Sequence, residues 1–310
     1  PKALVAMLPQ SEDKRRLADL RDVLAAREYQ EVVNYSFVDE AWERDLGGSA
    51  VPIKLQNPIA SNMSVMRTTL LGGLINTLIF NLNRKESRVR IFEAGRVFAG
   101  KGVEQQPYKI GGLAYGDATP EQWGVAARKV DFFDVKADVE ILCGGIDLVF
   151  SPAKQTTFLH PGRSAHILVG GQVIGFIGEL HPKLVQQYEF TQAPVLFELD
   201  SEAVLPSRLP KYNEVSKFPP VARDLAVLVD EEAEVGGILA LVRSKTPLMG
   251  TQVILFDIYR GQGVPKGKKS LAFRVVMQDT ERTYTDDEVD AVIAKIVDAL
   301  QGGYGAELRS

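Results

Sequence analysis

The sequence predicts an α+β protein of two domains, with a mostly antiparallel sheet in each. Helical and strand-like periodicities are mixed along the first two thirds of the chain, and short turns join neighbouring strands into hairpins. Prolines then cluster at residues 206–220, a segment without clear periodicity. After this segment the pattern is regular and reads β-α-β-β-α-β. We therefore expect a first domain at 1–205, a linker at 206–220 and a second domain at 221–310.

The first domain is predicted to be an antiparallel sheet flanked by helices. Apolar residues at helical spacing predict helices at 17–24, 39–46, 70–82, 133–143 and 181–188. Alternating or short apolar runs predict strands at 32–37, 51–55, 89–98, 108–115, 166–169, 173–177 and 195–199. The pair Gly170-Gly171 is typical of a tight hairpin turn between two of these strands.

The second domain is predicted to be ferredoxin-like. Strands are expected at 224–229, 253–259, 270–278 and 306–309, and helices at 235–243 and 285–300. Thr285 is a good N-cap for the last helix, and Glu288 completes a capping box. We expect Gly302-Gly303 to end that helix.

Alternation in this second sheet predicts one face for the core and one open face. Ile254, Phe256 and Ile258 are assigned to the core face of their strand. The open face is expected to carry a carboxylate, a phenol, a hydroxyl, a small side chain and a terminal arginine, which are Asp257, Tyr259, Ser270, Ala226 and Arg309. Such a face can bind single-stranded nucleic acid. Candidates for phosphate contact are Arg260, Lys266, Lys268, Lys269 and Arg274. An ordinary solvated sheet face explains the same pattern equally well.

Composition and motifs exclude several classes of function. A net charge of −4 argues against a protein that coats nucleic acid generally, so any RNA contact must be local. The single Cys143 excludes an internal disulfide and is typical of a reducing cytoplasm. No apolar run approaches membrane-spanning length, so no membrane association is expected. The three histidines lack metal-ligand spacing, and no phosphate loop or catalytic serine motif occurs. We therefore predict no metal and no catalytic residue in this chain.

Several long stretches resemble the beta subunit of bacterial phenylalanyl-tRNA synthetase, in the order of that family. They are NYSF from residue 34, LQNPIASNMSVMRTTLLGGLINTLIFNLNR from 55, RIFEAGRVF from 90, DFFDVKADVE from 131, FLHPGRSAHI from 158, GFIGELHP from 175, KFPPVARDLAVLV from 217, KSLAFRV from 269 and DTERTYTDDEV from 279. The resemblance implies a class II synthetase-like module without catalysis, followed by a ferredoxin-fold anticodon-binding domain. It also implies an alpha subunit as partner in an (αβ)₂ heterotetramer, binding of tRNA-Phe, and ATP and Mg²⁺ in the holoenzyme only.

The resemblance implies site residues only where motifs match. Asp257, Tyr259, Ser270 and Ala226 match family positions that hold the first anticodon base, and Arg309 matches less well because the tail varies. Class II catalysis needs arginines on the ATP phosphates. No arginine stands in GFIGELHP, and Arg67, Arg90 and Arg96 are expected in structural ion pairs. The family's N-terminal editing and magnesium-ligand patterns do not occur, and the chain starts at Pro1, so we expect the C-terminal part of a longer protein.

Two alternatives remain at the level of sequence. The first is a free-standing RNA-binding or regulatory protein that reuses the two modules. The second is a self-sufficient adenylate-forming enzyme, which the missing arginines argue against.

Overall fold

The structure is a computed structural model that describes residues 14–47, 51–100, 102–206, 212, 214–246 and 251–309. The chain divides into two compact units, Pro1–Leu209 and Pro210–Ser310, called unit 1 and unit 2 below. Residues 207–211 and 213 of the predicted linker lie outside the described residues. No helix within the described residues is both long and apolar enough to span a bilayer.

Unit 1 contains a sheet of seven strands with helices on both faces. Its helices are α1 (Leu17–Ala26), α2 (Glu40–Leu46), α3 (Leu71–Leu82), α4 (Phe132–Cys143), α5 (Pro182–Gln187) and α6 (Ser201–Val204). Its strands are β1 (Gln30–Glu31), β2 (Phe37–Val38), β3 (Val65–Met66), β4 (Val89–Arg96), β5 (Tyr108–Tyr115), β6 (Leu148–Pro152), β7 (Leu159–Val169), β8 (Gln172–Leu180) and β9 (Val195–Asp200). The strand order is β1-β4-β5-β9-β8-β7-β6, and only β1 pairs in parallel; β2 and β3 form a separate pair.

Each face of the large sheet has its own apolar core. On one face, Leu20 and Leu24 of α1 and Val139 of α4 pack against the sheet. On the other face, Leu74 and Leu78 of α3 lead a second cluster, to which α2 and α5 also contribute. The two clusters confirm the prediction of a sheet flanked by helices, because apolar area on both faces must be covered.

Two predicted strands of unit 1 are wrong. The segment 32–37 leaves the large sheet after Glu31 and enters the small one at Phe37. Between them the Asn34 amide donates to Glu93 and its carbonyl accepts from Thr77, while Val33 and Tyr35 face outwards. The segment 51–55 forms one isolated bridge, from Lys54 to Val65, and is not a strand; Val65 and Met66 form their ladder with β2 instead. Strand β6 and helix α6 were not predicted.

Unit 2 is a four-stranded antiparallel sheet with two helices. Its elements are β10 (Val221–Asp230), α7 (Val235–Lys245), β11 (Gln252–Tyr259), β12 (Lys268–Met277), α8 (Asp286–Tyr304) and β13 (Glu307–Leu308). The sheet order β11-β12-β10-β13 places the first and third strands at the centre, as a β-α-β-β-α-β chain requires. Ile238 and Val242 of α7 and Ile296 of α8 pack on one face of this sheet.

The end of α8 differs from the prediction. Thr285 is the N-cap and forms the expected capping box with Glu288, but the helix continues through Gly302 and Gly303 to Tyr304. Gly305 ends it in the left-handed conformation, with φ of 58°. Tyr304 is partly buried and packs against the core of unit 2, so the helix extends to it even though each helical glycine costs roughly 1 kcal/mol.

Candidate nucleic-acid interface

The open face of unit 2 follows from the alternation of its central strands. Leu271, Phe273 and Val275 of β12 are fully buried under the helices. Because side chains alternate along a strand, Ser270, Ala272 and Arg274 of β12 must lie on the opposite face. In the neighbouring strand β10, Ala226 stands beside Ala272. The small side chains at its centre make this face shallow.

A β-bulge in β11 corrects the predicted face of two residues. Leu255 opposes Phe273, and the next paired residue, Asp257, opposes Ala272. The extra residue is Phe256, which shifts the alternation by one position. Val253 and Leu255 therefore pack on the core, whereas Ile254 and Phe256, predicted there, are 45% and 54% exposed. The prediction failed because a local apolar pattern does not reveal a register shift.

Beyond the bulge, the predicted site residues share the open face. Asp257 stands beside Ala272 and Tyr259 beside Ser270. Ala226 stands on the other side of Ala272. The Asp257 carboxylate and the Tyr259 ring are both exposed to solvent. The structure thus places four of the five predicted residues within two rungs of the ladder.

Arg309 joins the group from the opposite edge of the sheet. Its backbone N–H donates to the Ala226 carbonyl at 2.9 Å, which holds the end of the chain beside β10. Its Cζ lies 4.9 Å from the centre of the Tyr259 ring, within cation–π range. Ser270, between these two, is only 3% exposed. An acceptor, an aromatic ring and a guanidinium around small residues are the groups that bind an unstacked base.

The five candidates for phosphate contact differ in availability. Arg260 pairs with Glu231, Lys268 with Glu307, and Arg274 makes two bonds to Asp224. Lys266 is exposed on the connection between β11 and β12.

Lys269 is buried, which contradicts its predicted contact with phosphate. Its ammonium donates to the carbonyls of Glu231 and Ala233 at 2.8 and 2.7 Å. The buried Lys269 ammonium stabilises the turn after β10, because without it the carbonyls of Glu231 and Ala233 would be buried acceptors without a donor.

A second polar group lies in unit 1, beneath α3. Glu93 accepts from Arg67 Nη1 at 2.6 Å and from the Asn34 amide at 2.7 Å. Glu198 accepts from Lys109 Nζ at 2.6 Å and from Thr69 Oγ1 and the Leu70 N–H at 2.7 Å each. Arg67, Glu93 and Glu198 are at most 5% exposed. We call this cluster the buried polar network. Its charged groups are paired, Arg67 with Glu93 and Lys109 with Glu198.

The other arginines considered from the sequence also have partners. Arg90 pairs with the fully buried Asp138, which also accepts from the Tyr29 hydroxyl at 2.9 Å. Burial, with a contribution from Asp138, raises the pKa of Tyr29 above its ordinary value. The ion pair expected for Arg96 is not found among the described residues; Arg96 donates to the Gln106 carbonyl at 2.7 Å and lies at the surface.

Two of the three histidines and the cysteine have structural positions. His181 caps α5, and His160 Nδ1 accepts from the Gly162 N–H at 3.0 Å. Burial raises the pKa of the Cys143 thiol to about 12, so the reactive thiolate is scarce at neutral pH. Among the residues that the structure describes, no group of three or more metal-binding side chains is found.

Comparison with known families decides the assignment of unit 1. The family model "Phenylalanyl tRNA synthetase beta chain CLM domain" matches residues 1–201, about two thirds of the chain. The chain belongs to this family. A second model, "Ferredoxin-fold anticodon binding domain", matches residues 216–309 and confirms the fold predicted for unit 2 of this beta-chain family member.

Curated relatives of the beta chain match over all of its length. They are the proteins named phenylalanine–tRNA ligase beta subunit from Nitrosospira multiformis, at 47% identity, Chromobacterium violaceum, at 51%, and Dechloromonas aromatica, at 50%. The chain spans 39–40% of the length of these relatives. A solved pyrrolysyl tRNA synthetase from Desulfitobacterium hafniense is 15% identical, with a TM-score of 0.45, over 62% of this chain and 66% of that one. So weak a likeness carries no argument.

Proposed function

We propose that the chain is the non-catalytic, tRNA-binding part of a phenylalanine–tRNA ligase beta subunit. One observation carries the proposal: Asp257, Tyr259, Ser270 and Arg309 meet on the open face of an anticodon-binding domain fold. The ligand of this face is the anticodon loop of tRNA-Phe. The curated relatives that contain both modules in this order are ligase subunits, which favours this function over a free-standing RNA-binding protein.

The chemistry of the site suits the first anticodon base. The Asp257 carboxylate accepts from a donor edge of the base, and the Tyr259 ring stacks on its plane. The Ser270 hydroxyl lies at the floor, and Ala226 leaves room for a base to lie flat. Each good base-edge or stacking contact is worth about 1–3 kcal/mol.

Binding requires a small movement of Arg309. A base between two planar groups needs about 3.5 Å on each side, or roughly 7 Å in all. The guanidinium now lies 4.9 Å from the Tyr259 ring centre, so it moves outwards by about 2 Å when a base enters between them. Arg309 is exposed and follows the last strand, which makes this movement inexpensive.

Unit 1 is proposed to be a class II synthetase-like module that does no chemistry. ATP binding in that class requires guanidiniums that are free to contact phosphates, but Arg67 is buried against Glu93. Lys109 is likewise held by the buried Glu198. Activation of phenylalanine with ATP and Mg²⁺ therefore belongs to the alpha subunit, in a cytoplasmic (αβ)₂ heterotetramer.

Exposed apolar side chains support a role of unit 1 in assembly. Val33, Tyr35 and Phe80 are 90%, 70% and 53% exposed. Val33 and Tyr35 belong to residues 14–37, a stretch whose sequence resembles motif 1, the oligomer-interface motif of class II synthetases. Covering such residues by a partner subunit removes apolar area from water.

Substitution on the open face tests the RNA-binding part. Tyr259→Ala or Asp257→Ala in the full chain should weaken binding to tRNA-Phe by about 1–3 kcal/mol in a fluorescence titration at fixed salt. Tyr35→Ala, which removes an exposed tyrosine from unit 1, is the matched control and should leave the affinity unchanged. Equal affinities for all four proteins would refute the proposed face.

Co-purification tests the assembly part. The chain and the alpha subunit should elute together, and the mass of the complex should correspond to two copies of each. The chain alone should give no exchange of pyrophosphate into ATP with phenylalanine. Exchange above background without the alpha subunit would instead support an enzyme that works on its own.

A further inference from the structure

A second aromatic–arginine pair lies on the same open face. Phe256 is the extra residue of the bulge, so it and Asp257 both oppose Ala272, which is on the open face. The Arg274 Cζ lies 5.7 Å from the centre of the Phe256 ring. Since Arg274 projects from the open face of β12, the contact places the Phe256 ring over that face as well. The ring is 54% exposed.

We propose that Phe256 and Arg274 form a second base-stacking site, which binds the nucleotide next to the one held at Tyr259. This inference rests on the proposed function. The two sites are continuous: Ser270, beside Tyr259, and Ala272, beside Phe256, are two residues apart on β12, or about 7 Å. Successive bases of an unstacked loop can span this distance, and four-stranded sheets with exposed aromatics commonly stack two or three bases.

The orientation of Arg274 is fixed before RNA binds. Its Nε and Nη2 groups donate to the two oxygens of Asp224 at 2.6 and 2.7 Å. These bonds occupy one edge of the guanidinium and leave the Nη1 donors for a base edge. The separation of 5.7 Å is too short for a base between the two groups. The base therefore lies on the exposed part of the Phe256 ring, and Arg274 donates to it from the side.

A nucleobase explains the surroundings of Phe256 better than a protein segment does. The exposed apolar patch at this point comprises Ile254 and Phe256, and the charged pair of Asp224 and Arg274 borders it directly. A protein partner would have to desolvate that ion pair, which costs stability. A planar base covers the ring and leaves the pair in water. Since Asp224 balances the charge of Arg274, this site should add little to the salt dependence of binding.

The test uses the full chain and an RNA hairpin carrying the anticodon loop of tRNA-Phe. 2-Aminopurine replaces one loop base at a time, and its fluorescence reports stacking. The native chain should quench two adjacent positions. Phe256→Leu, which keeps apolar volume but removes the ring, should abolish the quench at one position and weaken binding roughly tenfold. It should leave the slope of log Kd against log salt unchanged. Phe256→Tyr, which keeps the aromatic ring, should retain both the quench at that position and the affinity of the native chain.

Phe133→Leu is the matched control. Phe133 is 72% exposed and contacts the ring of Phe132, but it lies in α4 of unit 1. This variant should behave as the native chain.

The outcomes separate the two claims. A single quenched position that depends on Tyr259 and not on Phe256 overturns the second site and leaves the proposed function standing. No quenched position in the native chain overturns both. If Phe256→Leu changes the mass of the chain in solution but not the quench, the patch binds protein and the second site is also overturned.

Discussion

The two units place similar chemical groups in opposite situations. In unit 1 the buried polar network keeps Arg67, Glu93 and Glu198 away from water; Arg67 pairs with Glu93, and Glu198 pairs with Lys109. In unit 2 Asp257, Tyr259 and Arg309 lie on an exposed face above small residues. Both are sheet faces with acids, cations and hydroxyls. The first is closed by α3, and the second is not covered by any helix of its own unit among the described residues.

This difference teaches that the residue types alone do not define a binding site. A buried ion pair can stabilise one arrangement of the fold, but its charged groups already have partners and are not accessible to a ligand. An exposed acceptor or ring contributes little to stability and remains free to bind. The following predictions test whether unit 1 uses its polar groups for stability and unit 2 uses them for RNA.

The largest effect is expected from Glu93→Ala. The change leaves Arg67 buried without its carboxylate and the Asn34 amide without its acceptor. We expect a loss of about 3–5 kcal/mol in the free energy of unfolding. Urea denaturation followed by tryptophan fluorescence measures it, because Trp42 and Trp123 both belong to unit 1.

Two further variants make this result specific. Arg67→Met combined with Glu93→Leu should be less destabilising than Glu93→Ala, because no unpaired charge remains. Glu202→Ala, which removes the exposed pair with Lys14, should cost less than about 1 kcal/mol. A loss below about 1 kcal/mol for Glu93→Ala would break the comparison, since the network would then not stabilise unit 1.

A smaller effect should distinguish two lysines of unit 2. Lys269→Gln leaves the carbonyls of Glu231 and Ala233 without their donor and should cost about 1–3 kcal/mol. Hydrogen exchange of the β12 amides measures this loss. Lys266→Gln, at an exposed position, should leave stability unchanged but reduce the slope of log Kd against log salt for RNA by about 0.7. If Lys269→Gln lowered that slope and left exchange unchanged, Lys269 would be a phosphate ligand after all.

The smallest effect concerns an exposed carboxylate in α8. A side-chain bond from Arg282, followed by the Thr285 N–H, lowers the pKa of Glu288 to about 2. Its ordinary pKa is 4.5, so its stabilisation is complete above that value and disappears as the pH falls towards 2. Glu288→Gln should therefore differ from the native chain at neutral pH and match it near pH 2. The difference is followed by hydrogen exchange of β12 across that range, with Asp287→Asn as the control. If the difference in stability between Glu288→Gln and the native chain persisted at pH 2, the effect of residue 288 would not come from its charge.

The local sequence pattern was sufficient to predict features that depend only on residues close together in the chain. Thr285 and Glu288 predicted the start of α8, and Gly170-Gly171 predicted the hairpin of β7 and β8, because caps and turns depend on neighbouring residues. The stripe of Leu74 and Leu78 predicted α3 and its buried face. The pattern failed at Phe256, where a bulge changed the register, and at Lys269, whose charge suggested the surface.

The sequence by itself determined the α+β class, the β-α-β-β-α-β order, most helices and strands, and the open-face positions of Asp257, Tyr259, Ser270 and Ala226. Periodicity and caps carry that information within a few residues. Only the tertiary structure decided that Phe256 lies on the open face and that Arg309 contacts Tyr259 across the sheet. It also decided that the partner of Arg67 is the buried Glu93. These facts depend on contacts between segments far apart in the chain, and burial decides whether a charge binds a ligand or another residue of the protein.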